Sequence, residues 1–110
     1  VVSRGRKVVI FGAGHQSIVF INALRLSRYI SFVIDDAPDK VGYLIPGTTI
    51  EIVPAGELVG DQSIEVCLLG VSSAMEKKLR VELASYIDHG GRMYSIFPGA
   101  NSGTLIDGYT

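Results

Sequence analysis

The chain opens with a pattern that few folds accommodate. An apolar strand-like run meets a glycine turn, a helix-like stretch follows, and a second apolar run ends in two carboxylates. Lys7-Val8-Val9-Ile10-Phe11 supplies the first run, and Gly12-Ala13-Gly14-His15-Gln16 breaks it. Residues 17–28 read as helix, and residues 30–34 form the second run, closed by Asp35-Asp36. This is the order of a nucleotide- or dinucleotide-binding βαβ unit. Glycines let the backbone turn sharply and approach a phosphate, and the helix N-terminus offers it free N–H groups. The acidic pair stands roughly 20 residues beyond the glycines, where such a unit can hydrogen-bond a ribose. Ser17 takes the place of the third glycine in the full fingerprint, so the pattern specifies the fold and leaves the ligand open.

At 110 residues the chain is one domain, large enough to bury a core without disulfides or metal. Hydrophobic residues make up 47% and charged residues 19%, which excludes a disordered chain and suits buried strands. The net charge of −1 leaves no basic footprint for nucleic acid or for an anionic membrane surface. Cys67 is the only cysteine, so there is no internal disulfide and no cysteine-based zinc cluster, and a reducing cytoplasm is expected. No apolar run approaches the roughly 18 residues of a membrane span, and the first residues do not form a signal peptide. With no initiator Met, the chain is expected to be a piece of a longer protein.

Further along, the alternation continues. In the first helix Val19, Phe20, Ala23, Leu24 and Leu26 are expected on the core face, at about 100° per residue. Ser17, Asn22, Arg25 and Arg28 fall opposite, with Ile18 and Ile21 among them. Residues 35–49 form a long connection in which Pro46-Gly47 signals a turn. Ile50 and Ile52 read as a short strand, and residues 54–59 as a single helical turn with Pro54 in its first turn. Residues 64–69 are a near-continuous apolar strand of the kind covered on both faces. Residues 73–88 carry the clearest helix: Ser73 and Glu76 suggest a capping box, Met75, Leu79, Leu83 and Ile87 a buried stripe, and Gly90-Gly91 a stop. Residues 92–97 are the last strand, and the C-terminal stretch reads as a flexible tail. The expected fold is α/β, a Rossmann-like three-layer sandwich with a mainly parallel sheet of about five strands. The domain is expected over residues 1–98, with the tail over 99–110.

The candidate binding residues are Gly12, Ala13, Gly14, His15 and Gln16, which turn into the helix, together with Asp35 and Asp36 at the strand end. Each also has a plain structural role: the glycines a tight turn, His15 a solvated helix start, the aspartates ordinary turn chemistry. His89 suits a helix C-terminus, Cys67 a buried strand, and Ser73 a cap. No Ser/His/Asp set, metal-ligand cluster or acid/base pair can be assembled from the spacing. The sequence therefore offers a binding edge, with no catalytic residue to name.

The connection after Asp35 is more distinctive than a generic loop. Phe32-Val33-Ile34-Asp35-Asp36-Ala37-Pro38-Asp39-Lys40-Val41-Gly42, then Leu44-Ile45-Pro46-Gly47-Thr48 and Ile50, resembles the C-terminal domain of the SAM-dependent sugar C-methyltransferases. The resemblance continues in Gly12-Ala13-Gly14, in Gly90-Gly91-Arg92 and in Ile96-Phe97-Pro98, and covers roughly residues 7–98. It implies a three-part parent: a zinc region, a central methyltransferase domain carrying SAM and the catalytic base, and this Rossmann-like domain. By that resemblance the chain is an accessory substrate-binding domain, helping to hold a nucleotide-linked sugar or similar small molecule and not catalytic alone. It needs no cofactor of its own, and its partners are the catalytic domain and the small-molecule substrate, with neither nucleic acid nor membrane.

Two other readings stay open on the sequence. The N-terminal nucleotide-sugar-binding domains of sugar acyltransferases resemble residues 7–36, but usually lack Lys40-x-Gly42 and Pro46-Gly47-Thr48. A free-standing nucleotide- or NAD-binding regulatory module also fits. Finally, Ile18 and Ile21, apolar residues within the polar arc of the first helix, are expected to form a surface covered by the catalytic domain or a second subunit.

Overall fold

The computed structural model of the chain describes residues 6–97. The expected tail over 99–110 lies outside the described residues. Five strands form one sheet: β1 (Lys7–Phe11), β2 (Phe32–Ile34), β3 (Ile52–Val53), β4 (Ile64–Leu69) and β5 (Arg92–Ser95). Their order is β3-β2-β1-β4-β5 and every pairing is parallel. Four helices accompany them: α1 (His15–Ala23), α2 (Gly56–Gly60), α3 (Ser73–Glu82) and α4 (Ala84–Asp88). The fold is thus an α/β, Rossmann-like sandwich, as the alternating pattern implied.

Apolar side chains on both sides of each central strand explain why a parallel sheet forms here. Successive residues point to opposite faces, and β1 sends Val9 and Phe11 to one core and Ile10 to the other. In β4, Cys67 and Leu69 join the first core and Leu68 the second. The first core is closed by Leu58 of α2, Leu79 of α3, Leu83 between α3 and α4, and Tyr86 of α4. The second is closed by Phe20 and Ile21 of α1 and by Ile45 and Ile50 of the long connection.

Helix α1 differs from expectation in length and in facing. It starts at His15 and ends at Ala23, because Arg25 adopts a left-handed conformation with φ of 54°. The Leu26 amide donates to the Ile21 carbonyl and the Arg25 amide to that of Asn22, the two bonds of a Schellman stop. The buried residues of the helix are Ser17, Phe20 and Ile21, whereas Val19 and Leu24 are about half exposed. Ile21 has no exposed surface and Ile18 packs partly against the same core. The pair therefore does not form an exposed interface patch. The reason is Ser17: a small side chain at the closest approach of helix to sheet turns the helix so that its neighbours one turn on, Phe20 and Ile21, face inward.

The later helix is also resolved differently. It breaks at Leu83 into α3 and α4, and its cap is Ser72, whose Oγ accepts the Met75 amide at 3.3 Å. Glu76, expected in a capping box with Ser73, instead turns inward and lies 3.6 Å from Arg80. Leu79 and Leu83 are buried as the stripe requires, but Tyr86 replaces Met75 and Ile87 as the third buried residue. Gly90, with φ of 97°, stops α4 as expected, again through a Schellman pair: Gly91 amide to Tyr86 carbonyl and Gly90 amide to Ile87 carbonyl.

The long connection closes one edge of the sheet. The Glu51 and Val53 carbonyls accept from Val33 and Asp35, so the backbone N–H and C=O of Ile52 point away from β2, and there they are met by Gly42 and Tyr43. The Gly42 amide donates to the Ile52 carbonyl and the Ile52 amide to that of Tyr43, both at 2.9 Å. Pro46-Gly47 makes the expected turn, with the Thr48 amide bonded to the Ile45 carbonyl at 3.0 Å and Gly47 at φ of 79°.

Candidate functional site

In an open parallel sheet the binding crevice lies beyond the carboxyl ends of the strands, where the strand order reverses. Here the reversal falls between β1 and β4, which are neighbours in the sheet although β2 and β3 intervene in the chain. The loop after β1 carries Gly12 to Gly14 and the loop after β4 carries Gly70 to Ser72. The two loops touch. A Cβ at Gly12 would sit 2.8 Å from both the Gly70 carbonyl oxygen and Val71 Cγ1, and Gly12 has φ of 107°. Gly12 is therefore fixed by packing and by backbone conformation.

Gly14 is different. Its φ of −89° suits any residue, and an added Cβ would meet nothing within 4 Å. Neither folding nor packing requires a glycine there, and the space above its backbone is open. Gly14 also N-caps α1 without a side-chain bond. The first helical bond runs from the Ile18 amide to the Gly14 carbonyl, so the amides of His15 and Gln16 have no intrahelical acceptor. Both side chains are exposed. An uncapped helix start under an open glycine has the geometry and partial positive charge of an anion site.

The aspartates separate in role. Asp35 uses both carboxylate oxygens internally: Oδ2 accepts the Ala13 amide at 2.9 Å and Oδ1 accepts the Ala37 amide at 2.9 Å. Lys40 Nζ lies 3.9 Å from Oδ2 and offsets its charge. Asp35 thus braces the glycine turn. Asp36 is exposed and bonds through Oδ1 to the Ala55 amide at 2.8 Å. Its second oxygen has no hydrogen-bond partner among the described residues, so Asp36 is the better placed of the two for an external hydroxyl.

Ser17 stands where the fingerprint has its third glycine, and Gly70 makes the space it needs. A Cβ on Gly70 would come within 2.1 Å of Ser17 Oγ. The glycine that permits close helix–sheet contact has in effect moved from the helix to the facing strand end. Ser17 Oγ is buried without a hydrogen-bond partner among the described residues. Alternating strands and helices bring the loop from Gly70 to this edge, and Lys40 belongs to the distinctive connection; the roles of both come from contacts, Gly70 with Gly12 and Ser17, Lys40 with Asp35.

Burial pushes the Cys67 thiol up to about 12, with Arg80 opposing weakly, so it stays protonated at neutral pH. His89 donates through Nδ1 to the Ser85 carbonyl at 2.6 Å, since a carbonyl can only accept, and lies at the far end of α4. Among the described residues no three His, Cys, Asp or Glu side chains gather as a metal-binding group, and no helix is long and apolar enough to cross a membrane.

Comparison with known proteins agrees with this architecture. No curated protein matches the chain. Among solved structures, the UDP-D-quinovosamine 4-dehydrogenase from Vibrio fischeri is similar, with a TM-score of 0.62 at 24% identity. The match covers 94% of this chain and 85% of that one, and at this identity it establishes the shared fold. The family described as the C-methyltransferase C-terminal domain matches residues 1–98. That span takes in the glycine turn, the acidic strand end, the Lys40 to Thr48 connection and the last strand, so the chain belongs to the C-methyltransferase C-terminal domain family.

Proposed function

We propose that this domain is the substrate-holding accessory part of a SAM-dependent C-methyltransferase and that its ligand is a nucleotide-linked sugar. The observation that carries the reading is Gly14, a glycine that neither φ nor packing demands, lying at the uncapped start of α1. Such a position admits close backbone approach by a diphosphate, which the His15 and Gln16 amides can then bond. Asp36 is assigned to a ribose or sugar hydroxyl, while Asp35 and Lys40 hold the loop in shape. The structural neighbour is by its name an enzyme of a UDP-linked sugar, which accords with this ligand class. SAM, zinc and the catalytic base are assigned to other domains of a parent protein, with which this domain would pack. No chemical step is assigned to the residues of this chain.

Titration of the ¹⁵N-labelled chain with UDP, dTDP and their sugar conjugates tests the reading. Saturable shifts are expected first at the amides of Gly12 to Ser17, weakened by Gly14→Val and by Asp36→Ala. Shifts confined to α3, or none with any nucleotide sugar, would refute ligand binding by this domain.

A further inference from the structure

A concave site lies at the opposite end of the sheet, away from the glycine edge. It is a cavity of about 380 Å³ whose lining includes Arg6, Gln62, Ser85, Tyr86 and His89. These residues come from the segments before β1 and β4 and from α4, so the cavity opens at the amino ends of the strands. Its size falls within the roughly 300–1,000 Å³ typical of small-molecule sites.

Three side chains of the lining can donate hydrogen bonds, and Arg6 can only donate. Arg6 brings a guanidinium, Gln62 an amide and Ser85 a hydroxyl. None of the three side chains has a hydrogen-bond or ion-pair partner among the described residues. The acid in the lining, Asp61, is already engaged. Its Oδ2 accepts from Lys7 Nζ at 2.6 Å and its Oδ1 from the Ser63 amide at 2.9 Å and from the Ser63 hydroxyl. With Asp61 neutralised by Lys7, the charge left over in the cavity is that of Arg6.

Tyr86 forms the floor. Its ring packs so closely on Gly91 that a Cβ there would fall 2.3 Å from Cζ. The hydroxyl is buried, with no partner in hydrogen-bonding geometry among the described residues. A guanidinium beside neutral donors, over an aromatic floor, is an arrangement suited to an oxyanion.

We propose that this cavity binds a small molecule bearing a phosphate or carboxylate group, held by Arg6 with Gln62 and Ser85. The site is distinct from the glycine edge and does not depend on what that edge binds. Separate titrations of the labelled full chain with inorganic phosphate and with succinate, at constant ionic strength, test it. Saturable shifts at the amides of Ser63, Ser85, His89 and Gly91 are expected, with Arg6→Gln weakening binding by about tenfold and Ser85→Ala by less. Saturation by phosphate alone would mark a phosphate ester as the ligand, and saturation by succinate alone an organic acid. Linear shifts with both anions would overturn the proposal, as would binding that Arg6→Gln leaves unchanged. Shifts restricted to Gly12 to Ser17 would overturn it while leaving the nucleotide-sugar reading intact.

Discussion

Asp35 Oδ2 accepts the amide proton of Ala13 at 2.9 Å, so the acidic end of β2 grips the glycine turn that follows β1. The sequence separation that suggests a ribose ligand is also the separation that lets a carboxylate reach the neighbouring loop. Asp35→Asn keeps the shape but offers one oxygen to two amides and turns an N–H₂ toward the other. A loss of about 1–3 kcal/mol is expected, read from urea denaturation. A loss within error would mean that the turn holds without this brace.

Ser17 and Gly70 should behave as a coupled pair. Gly70→Ala drives a methyl into Ser17 Oγ, and overpacking of this kind costs about 1–3 kcal/mol. Ser17→Ala removes that oxygen and with it a buried hydroxyl lacking a partner, so it should be neutral or stabilising. In the double variant the new methyl faces the residue 17 Cβ at 3.4 Å, an ordinary contact, and the flexible tip of Ile96 at 3.3 Å, so most of the loss should return. A double-mutant cycle with additive effects would contradict the close approach.

Arg25 offers a gain. It closes the Schellman stop of α1 at φ of 54°, where a side chain costs roughly 1–2 kcal/mol that glycine avoids. Arg25→Gly should raise stability by about 1 kcal/mol, visible as a higher urea midpoint at unchanged slope. A lower midpoint would show that Arg25 contributes contacts outweighing its backbone strain.

Stability at low pH should depend on Asp61. Its carboxyl is held down to about 2 from 3.8, chiefly by the Lys7 ammonium and then by Ser63. A depressed carboxylate stabilises the fold fully above its unfolded value and loses that contribution as pH falls through the folded one. The window is therefore from 3.8 down to about 2. Lys7 is 40% exposed, so screening reduces the contribution to about 1 kcal/mol. Asp61→Asn should be less stable than the parent at neutral pH, and the difference should vanish by about pH 2.

How much could be read in advance depended on which residues carried the signal. The sheet was legible because Val9, Ile10, Phe11 and Cys67, Leu68, Leu69 are apolar on both faces, a pattern with few alternatives. The stop after α4 was legible because Gly90 supplies the left-handed residue. The stop after α1 is built in the same way, but from Arg25, which signals nothing of the kind, and the end of the helix was read five residues too late. The facing of α1 was misread for a related reason. A buried Ser17 makes sense only beside Gly70, and that partner lies 53 residues further on. At the carboxyl edge of the sheet, Gly12 to Gly14 form the turn that the pattern placed there, while His15 and Gln16 already belong to α1. The division of labour between Asp35 and Asp36 could not be read, since it rests on contacts to Ala13, Ala37 and Ala55 backbone atoms that have no sequence signature.

The stretch from Lys40 to Thr48 has a consequence apart from any ligand. An open strand edge is a template on which another chain can add itself, and proteins protect such edges with turns, charges or a covering segment. By occupying the outward backbone groups of Ile52, Gly42 and Tyr43 remove that template from the β3 side. Variation within this stretch should therefore show itself first as self-association and poor recovery of the protein, before any change in what it binds.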